Sequence, residues 1–298
     1  MKTLECCTKT LECSTAISFK NILFLTDFTP ASDAAFTHAV ELARHFAARL
    51  FAAHAITPYL PTELDAPMMP DILNQMESEK RAQLIELVKN TGVSNTVLVT
   101  QRAVEDAVPR WINEHGIDLI VMGTHGRKGV DRLFLGSTAE AIVRTATCPV
   151  LTVGPGVVLQ LHSELDIKRV LFATSLTKEN DPAVAYALSF ARERSANLTV
   201  LHALPDPAET QEDWKVLADI ARDKMKELAP SDDVWPGNAE FIVEPGDASI
   251  RILEYAEDRR PGLIVLGLSE DTKPSTHFRK GVAYKVISSA PCAVLTVR

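Results

Sequence analysis

The stretch Lys20-Asn-Ile-Leu-Phe-Leu-Thr26 returns later in the chain as Lys168-Arg-Val-Leu-Phe-Ala-Thr174, 148 positions further on. Each copy is an apolar run of strand length that ends in a polar turn and is followed by a segment with helical periodicity. The next apolar runs, Leu50–Ala55 and Leu198–Ala203, keep the same offset of 148 residues. A match at fixed spacing indicates duplication, so the chain is predicted to contain two tandem copies of one domain.

A second match lies at the C-terminal end of each copy, where Cys148-Pro-Val-Leu-Thr-Val153 resembles Cys292-Ala-Val-Leu-Thr-Val297 at an offset of 144 residues. The total of 298 residues agrees with two domains of ~100–200 residues each. The predicted organisation is a disordered tail over 1–18, a first domain over 19–154, a linker over 155–166 and a second domain over 167–298.

Apolar runs and helix-period segments alternate within each unit. Several of the runs are continuously apolar, which is typical of parallel strands covered by helices on both faces. The predicted fold class is therefore α/β, with two doubly wound parallel domains. In the first domain we predict strands over 21–26, 50–55, 96–100, 118–122 and 149–153, and helices over 31–48, 70–90, 104–115 and 137–146.

Composition narrows the class of protein. Hydrophobic residues make up 46% and charged residues 23%, which excludes a disordered chain. The net charge of −8 argues against nucleic-acid binding, which needs a basic surface. No apolar run reaches the ~18 residues that a membrane span requires. We therefore expect a protein with no nucleic-acid and no membrane partner.

The five cysteines form no paired metal-binding pattern. Cys148 and Cys292 precede apolar runs and are expected to be buried thiols, and this usage favours a reducing, cytoplasmic location. A redox or metal-binding tail is the alternative for the first 18 residues, which hold the other three: Cys6, Cys7 and Cys13.

Four of the 13 glycines lie within 14 residues, directly after the fourth predicted strand. Their spacing is G-x2-G-x9-G-[ST] from Gly123, and Ser137 and Thr138 then open a helix-period segment. Glycines let backbone amides approach phosphate oxygens, and a helix N-terminus favours an anion. The loop is therefore predicted to bind phosphate, with further donors or cations at His125, Arg127, Lys128 and Arg132. It lacks both the Walker A and the dinucleotide-fingerprint spacing.

At this point the chain resembles the universal stress protein family in its tandem form, over nearly all residues beyond 18. The glycine spacing looks like that family's ATP-binding signature, and Ile22-Leu-Phe-Leu-Thr-Asp27 looks like its first strand and acidic turn. The resemblance implies five-stranded domains of the adenine-nucleotide alpha hydrolase type, with strand order 3-2-1-4-5. It also implies pairing of the two domains through their fifth strands, and a possible homodimer.

The resemblance further implies where a nucleotide would lie. Asp27 would contact the ribose or adenine side, Ala55 would hold adenine through its main chain, and the glycines with Ser137 and Thr138 would hold the phosphates. The expected cofactor is one ATP per chain, with Mg²⁺ because ATP normally carries it. The predicted site comprises Thr26, Asp27, Ala55, Met122, Gly123, His125, Gly126, Arg127, Gly136, Ser137 and Thr138.

The second domain departs from this pattern. Ser175 replaces Asp27, and Gly267-Leu-Ser-Glu270 replaces the first glycine pair, so that an acidic side chain stands where phosphate would lie. Gly281-Val-Ala replaces Gly136-Ser-Thr. We expect this domain to have lost ATP binding, although weak anion binding remains an alternative through Lys273, Arg279 and Lys280.

The positions of four histidines can also be predicted. His54 and His202 recur at one repeat position, and we expect a partly buried structural role, with lining a site or binding metal as the alternative. His38 and His45 lie seven residues apart on a helix and are expected on its solvent side.

Three functions remain open at this stage. The first is an ATP-binding stress or regulatory protein in which nucleotide controls domain or partner association. The second is a slow ATPase or phosphotransferase, for which the sequence offers no separate base or acceptor site. The third is an interaction scaffold that binds no nucleotide. No catalytic residue and no metal ligand is predicted.

Overall fold

The computed structural model describes residues 17–56, 69–124, 135–154, 157, 167–176, 182–204, 210–229, 234–268 and 281–298. Strands and helices alternate along these ranges. The first half holds β1 (Asn21–Leu25), α1 (Pro30–His45), β2 (Arg49–Ala55), α2 (Met69–Val88), β3 (Asn95–Thr100), α3 (Val104–His115), β4 (Leu119–Gly123), α4 (Ser137–Thr145) and β5 (Val150–Val153). The second half holds β6 (Arg169–Ala173), α5 (Pro182–Glu193), β7 (Asn197–Leu204), α6 (Gln211–Lys226), β8 (Glu240–Pro245), α7 (Ala248–Arg259), β9 (Leu263–Gly267), α8 (Val282–Ser289) and β10 (Ala293–Val297).

Helix ends follow local backbone chemistry. Pro30 occupies the first turn of α1, where its missing N–H costs nothing. The predicted helix over 31–48 was too long, because α1 ends at His45 and Ala47 adopts the left-handed conformation with φ of 50°. Gly116 ends α3 in the same conformation, with φ of 59°, and its N–H donates to the carbonyl of Ile112.

All strands form a single sheet of ten within the described part of the chain, in the order β3-β2-β1-β4-β5-β10-β9-β6-β7-β8. Each half therefore has the expected 3-2-1-4-5 order and is parallel throughout. The halves meet where β5 and β10 pair antiparallel, which confirms pairing through the fifth strands. Two buried threonines form hydrogen bonds across this junction. Thr152 Oγ1 donates to the Val294 carbonyl at 3.1 Å, and Thr296 Oγ1 donates to the Val150 carbonyl at 3.2 Å.

The sheet has an apolar core on each face, which explains the continuous apolar strands. One core joins the sheet to α1, α2, α5 and α6, with Phe24 and Phe172 buried at its centre. The other joins the sheet to α3, α4, α7 and α8, with Trp111 and Ile252 among its members. Alternate residues of each strand enter alternate cores, so the chain builds a three-layer α/β structure.

One of the two histidines of α1 differs from expectation. His38 is only 8% exposed rather than solvent-facing, and its Nδ1 lies 2.9 Å from the Ala34 carbonyl. Burial lowers the pKa of His38, although the bond to Ala34 acts in the opposite direction. His45 is exposed, as expected, and its Nε2 lies 3.0 Å from Glu193 Oε2 on α5. His38 therefore belongs to the core, and His45 belongs to the contact between the halves.

The burial of His38 predicts a specific acid sensitivity. Below the ordinary histidine pKa of about 6.5, the unfolded chain binds a proton that the folded chain resists, so folding stability falls as pH falls. We expect His38→Phe to remove this component while keeping a ring in the core. Urea unfolding of both proteins between pH ~7.5 and ~5 should show the wild type losing more stability than the variant. Parallel pH curves would contradict the assignment.

Candidate functional site

The ends of β1 and β4 lie side by side. The two strands pair in parallel, with Leu25 opposite Met122, so their carboxyl ends meet at one edge of the sheet. Thr26 and Asp27 directly follow β1, and Gly123 is the last residue of β4. The chain runs from β1 to β2 on one side and returns to β4 on the other. This reversal of strand order is where α/β sheets form ligand crevices.

Thr26 organises the turn at this edge. Its carbonyl accepts a hydrogen bond from His54 Nδ1 at 2.7 Å, and its Oγ1 accepts from the Phe28 N–H at 2.9 Å. Phe28 adopts the left-handed conformation with φ of 60°, and its ring packs 4.9 Å from the ring of His54. Since His54 is 9% exposed and bonded to the backbone, its expected structural role is confirmed.

Asp27 has a local role that the sequence did not reveal. Its Oδ1 accepts hydrogen bonds from the Thr29 N–H at 3.1 Å, from Thr29 Oγ1 at 2.6 Å and from Ser32 Oγ at 2.6 Å. The carboxylate thus fixes the entry to α1, in the manner of an Asx turn. The polar run Asp27-Phe-Thr-Pro30 carried a signal for this turn, because Asp and Thr before Pro are typical of a helix start. Its contact with a nucleotide stays a prediction.

The two ends of the glycine loop are bonded together. The Gly136 N–H donates to the Thr124 carbonyl at 2.8 Å, and the Thr124 N–H donates to the Val153 carbonyl at 3.0 Å. Thr124 is 1% exposed and was missing from the predicted site, although it lies inside the glycine motif. Loop positions His125, Gly126, Arg127, Lys128 and Arg132 lie outside the described residues.

The start of α4 suits an anion. Gly136 precedes the helix in an extended conformation and supplies no side-chain cap, and both Ser137 and Thr138 are exposed. Backbone N–H groups of an uncapped first turn are available to a ligand. Glu140 is buried in this turn, however, and its carboxylate offsets part of the positive potential.

The other predicted residues lie along the same edge. Ala55 is the last residue of β2 and is half-buried, and Met122 is buried next to Gly123 at the end of β4. The edge therefore brings together eight of the predicted residues: Thr26, Asp27, Ala55, Met122, Gly123, Gly136, Ser137 and Thr138.

The second half repeats the backbone of this edge closely. His202 Nδ1 lies 2.8 Å from the Thr174 carbonyl, the Leu176 N–H donates to Thr174 Oγ1 at 3.2 Å, and Leu176 has φ of 58°. These values match the Thr26, Phe28 and His54 geometry. His202 is therefore buried at this edge, as expected.

The side chains of the second edge differ in charge. Ser175 occupies the place of Asp27, and an acidic residue appears instead across the crevice, where Asp247 replaces Ala103 before α7. Asp247 Oδ1 accepts from the Ser249 and Ile250 N–H groups at 2.9 and 3.2 Å. A hydrogen bond from the Ser249 side chain is the main cause that lowers the Asp247 pKa, so this carboxylate is ionised at neutral pH.

A cavity of about 450 Å³ opens at this second edge. It lies beyond the carboxyl ends of β6, β7 and β9, and α7 and α8 close two of its sides. Gly267 lines it, and Val282 and Ala283 begin α8 where α4 has Ser137 and Thr138. The described residues do not include the replacement residues Ser269 and Glu270 or the cations Lys273, Arg279 and Lys280.

Comparison with known proteins agrees with this architecture. The family model described as the universal stress protein family matches residues 18–154 and again residues 166–298. Universal stress protein A homolog 1 of Coxiella burnetii is 36% identical over 140 residues, which is 45% of this chain and 96% of that protein. A universal stress protein of Thermus aquaticus is 35% identical over 137 residues, covering 45% of this chain and 98% of that protein.

Solved structures show the tandem architecture. A universal stress protein from Archaeoglobus fulgidus aligns over 93% of this chain and 98% of its own, with a TM-score of 0.67 and 16% identity. A functionally unknown protein from Pseudomonas aeruginosa aligns over 94% and 92%, with a TM-score of 0.62 and 17% identity. At this identity the likeness concerns the fold alone.

The crevice and the duplicated sheet define a tandem doubly wound α/β protein with a mostly parallel sheet. The chain belongs to the universal stress protein family. Along the described ranges, no helix is both long and apolar enough to cross a membrane. The same ranges contain no group of three metal-ligating side chains.

The bond from the Phe28 N–H to Thr26 Oγ1, which we call the Thr26 turn, has a counterpart at Thr174, so the two threonines can be tested in parallel. We expect Thr26→Val and Thr174→Val each to lower the free energy of unfolding by about 0.5–1.5 kcal/mol, because each removes the acceptor of a backbone N–H at a left-handed residue. Thr26→Ser and Thr174→Ser keep the hydroxyl and should retain most of that stability. Denaturant unfolding measures the effect, and equal losses in the Val and Ser variants would contradict it.

Proposed function

We propose that this chain binds one ATP in its first half, and that nucleotide occupancy controls domain or partner association in a stress response. The observation that carries this proposal is the convergence of Gly123 with the uncapped start of α4 beside the β1 turn. We further propose residues 19–154 and 167–298 as its two domains, with a tail over 1–18 and a linker over 155–166.

The described residues fit a nucleotide with phosphates. The first turn of α4 offers backbone N–H groups together with the hydroxyls of the exposed Ser137 and Thr138, and these donors suit phosphate oxygens. Gly123 ends β4 without a side chain between the strand end and this turn. Mg²⁺ would accompany ATP, and bound ATP would stabilise the folded state by mass action.

A hydrogen bond links the proposed site to the strand at the junction of the two halves, and this link supports a role in association. The Thr124 N–H donates to the Val153 carbonyl, so the glycine loop is tied to β5, the strand that pairs with β10. A side chain at Gly154 would meet Thr124 Oγ1 at 3.6 Å and the Ala290 carbonyl of the second half at 3.5 Å. A shift of the loop would therefore reach the contact between the halves directly.

The two free cysteines of the described residues support our proposal of a cytoplasmic location. Burial raises the pKa of Cys148 and of Cys292 to about 12, so both thiols stay protonated. Protonated thiols are poor nucleophiles, which argues that these two cysteines serve packing rather than catalysis.

The proposal predicts different effects of one substitution in the two halves. Gly123→Val should weaken ATP binding at least ~tenfold, a change of about 1.4 kcal/mol, because the added side chain blocks the approach of phosphate. Gly267→Val, at the matched position of β9, should leave ATP affinity within about twofold of wild type. Calorimetric titration of both variants measures this, and equal effects would contradict a site confined to the first half.

The purified protein separates the remaining alternatives. We expect nucleotide released from it by denaturation to have the mass of ATP, and ATP turnover to stay well below the ~1 s⁻¹ of ordinary enzymes. A nucleotide-free scaffold would release none and would bind none on titration. Turnover in the enzymatic range, lost in Gly126→Val, would instead favour a dedicated ATPase.

A further inference from the structure

The cavity of the second half is built for contact with an apolar molecule. Its volume of about 450 Å³ falls within the ~300–1,000 Å³ of small-molecule sites. Leu201 and Leu266 contribute aliphatic walls from the sheet, Ile252 contributes one from α7, and Val282 contributes one from α8. Such walls stabilise a ligand through burial of its apolar surface.

One polar side chain in the wall of this cavity, His202, has a ring nitrogen that can accept a further hydrogen bond. His202 is 8% exposed and lines the cavity, and its Nδ1 faces the Thr174 carbonyl at 2.8 Å. Because a carbonyl only accepts, Nδ1 carries the proton, and Nε2 of the neutral ring is then an acceptor. No residue in the described part of the chain donates to Nε2. A ligand N–H or O–H group is the partner that this nitrogen lacks.

The charges around the cavity disfavour phosphate. Asp247 lines the cavity and already accepts from the first N–H groups of α7, so its carboxylate stands where an anion would otherwise bind. Lys285 Nζ lies 3.4 Å from Asp247 Oδ2, which directs its charge to that carboxylate. At α8, Val282 and Ala283 supply none of the hydroxyls that Ser137 and Thr138 supply at α4.

We propose that this cavity is a second ligand site, which takes a small uncharged molecule with an apolar body and an N–H or O–H group donated to His202 Nε2, and which excludes phosphate esters. The site goes beyond the ATP site proposed for the first half. The same duplicated backbone thus carries two crevices of different chemistry, because a carboxylate stands before α1 in one and before α7 in the other.

Indole and 1-methylindole test the proposal without altering the protein. Indole has an apolar body and one N–H donor, and 1-methylindole keeps the apolar body but carries a methyl group in place of the donor hydrogen. The reporter is the methyl NMR signal of Ile252, which lines this cavity. Loss of one signal in Ile252→Val assigns it, and the repeat counterpart Val108 gives no isoleucine signal from the matching place in the first half. Millimolar indole should shift this signal, and 1-methylindole should bind about three- to tenfold more weakly, as expected for one lost hydrogen bond.

A pair of matched variants locates the binding. Ala203→Phe fills the cavity from the end of β7 and should abolish the indole-induced shift while leaving ATP affinity unchanged. Ala55→Phe, at the same repeat position of the first half, should weaken ATP binding and leave the indole shift intact. Failure of the ATP proposal would appear only in the ATP measurements, so the two proposals fail independently.

Four results would overturn the second site. These are an Ile252 signal that indole does not move, equal affinities for indole and 1-methylindole, an indole shift that survives in Ala203→Phe, and an ATP-induced shift of Ile252 as large as that caused by indole. The last result would make the cavity a second nucleotide site. Because the comparison of the two indoles uses the unmodified chain, the proposal stays testable even if Ala203→Phe does not fold.

Discussion

The parallel pairing of β1 with β4 is the constraint on which the rest of the site depends. Leu25 opposite Met122 places two strand ends side by side, although about a hundred residues separate them in the chain. This register brings the Thr26 turn next to Gly123, and the bond from Gly136 to Thr124 then brings the start of α4 to the same edge. The second half repeats the constraint with Ala173 opposite Leu266.

A repeated backbone therefore supports two different crevices. The bonds from His54 to Thr26 and from His202 to Thr174 hold both turns in one shape, with a left-handed residue following in each. Charge then distinguishes the crevices, because Asp27 and Asp247 stand at different positions around otherwise matched turns. Duplication kept the geometry of the turns, and a few side chains differ between the two edges.

The sequence predicted the fold well because its signals are local or repeated. Strands are marked by apolar runs, and the first-half strand ends fall within about one residue of expectation, as for β2 (Arg49–Ala55). The helix ends were less accurate, since α1 stops at a left-handed turn that composition does not mark. The position of His38 was wrong because seven-residue spacing alone does not show which helix face meets the sheet.

The site was predicted less completely, for physical reasons. The glycine loop was recognisable from spacing. The role of Thr124 depends on backbone hydrogen bonds, and that of the Asp27 carboxylate depends on hydrogen bonds from Thr29 and Ser32, and the sequence displays neither set. The second cavity was missed for a related reason. Loss of glycines argued against phosphate, whereas the space enclosed by Ile252, Leu266 and His202 depends on how helices pack over the strand ends.

The number of nucleotides that one intact chain binds distinguishes a single ATP site in the first half from a site in each half. Native mass spectrometry of the full-length protein, titrated with ATP and Mg²⁺, resolves chains that carry none, one or two nucleotides. We expect saturation at one ATP per chain, with loss of that complex in Gly123→Val and its retention in Gly267→Val. Saturation at two nucleotides per chain, or no bound nucleotide at any concentration that retains the fold, would contradict it.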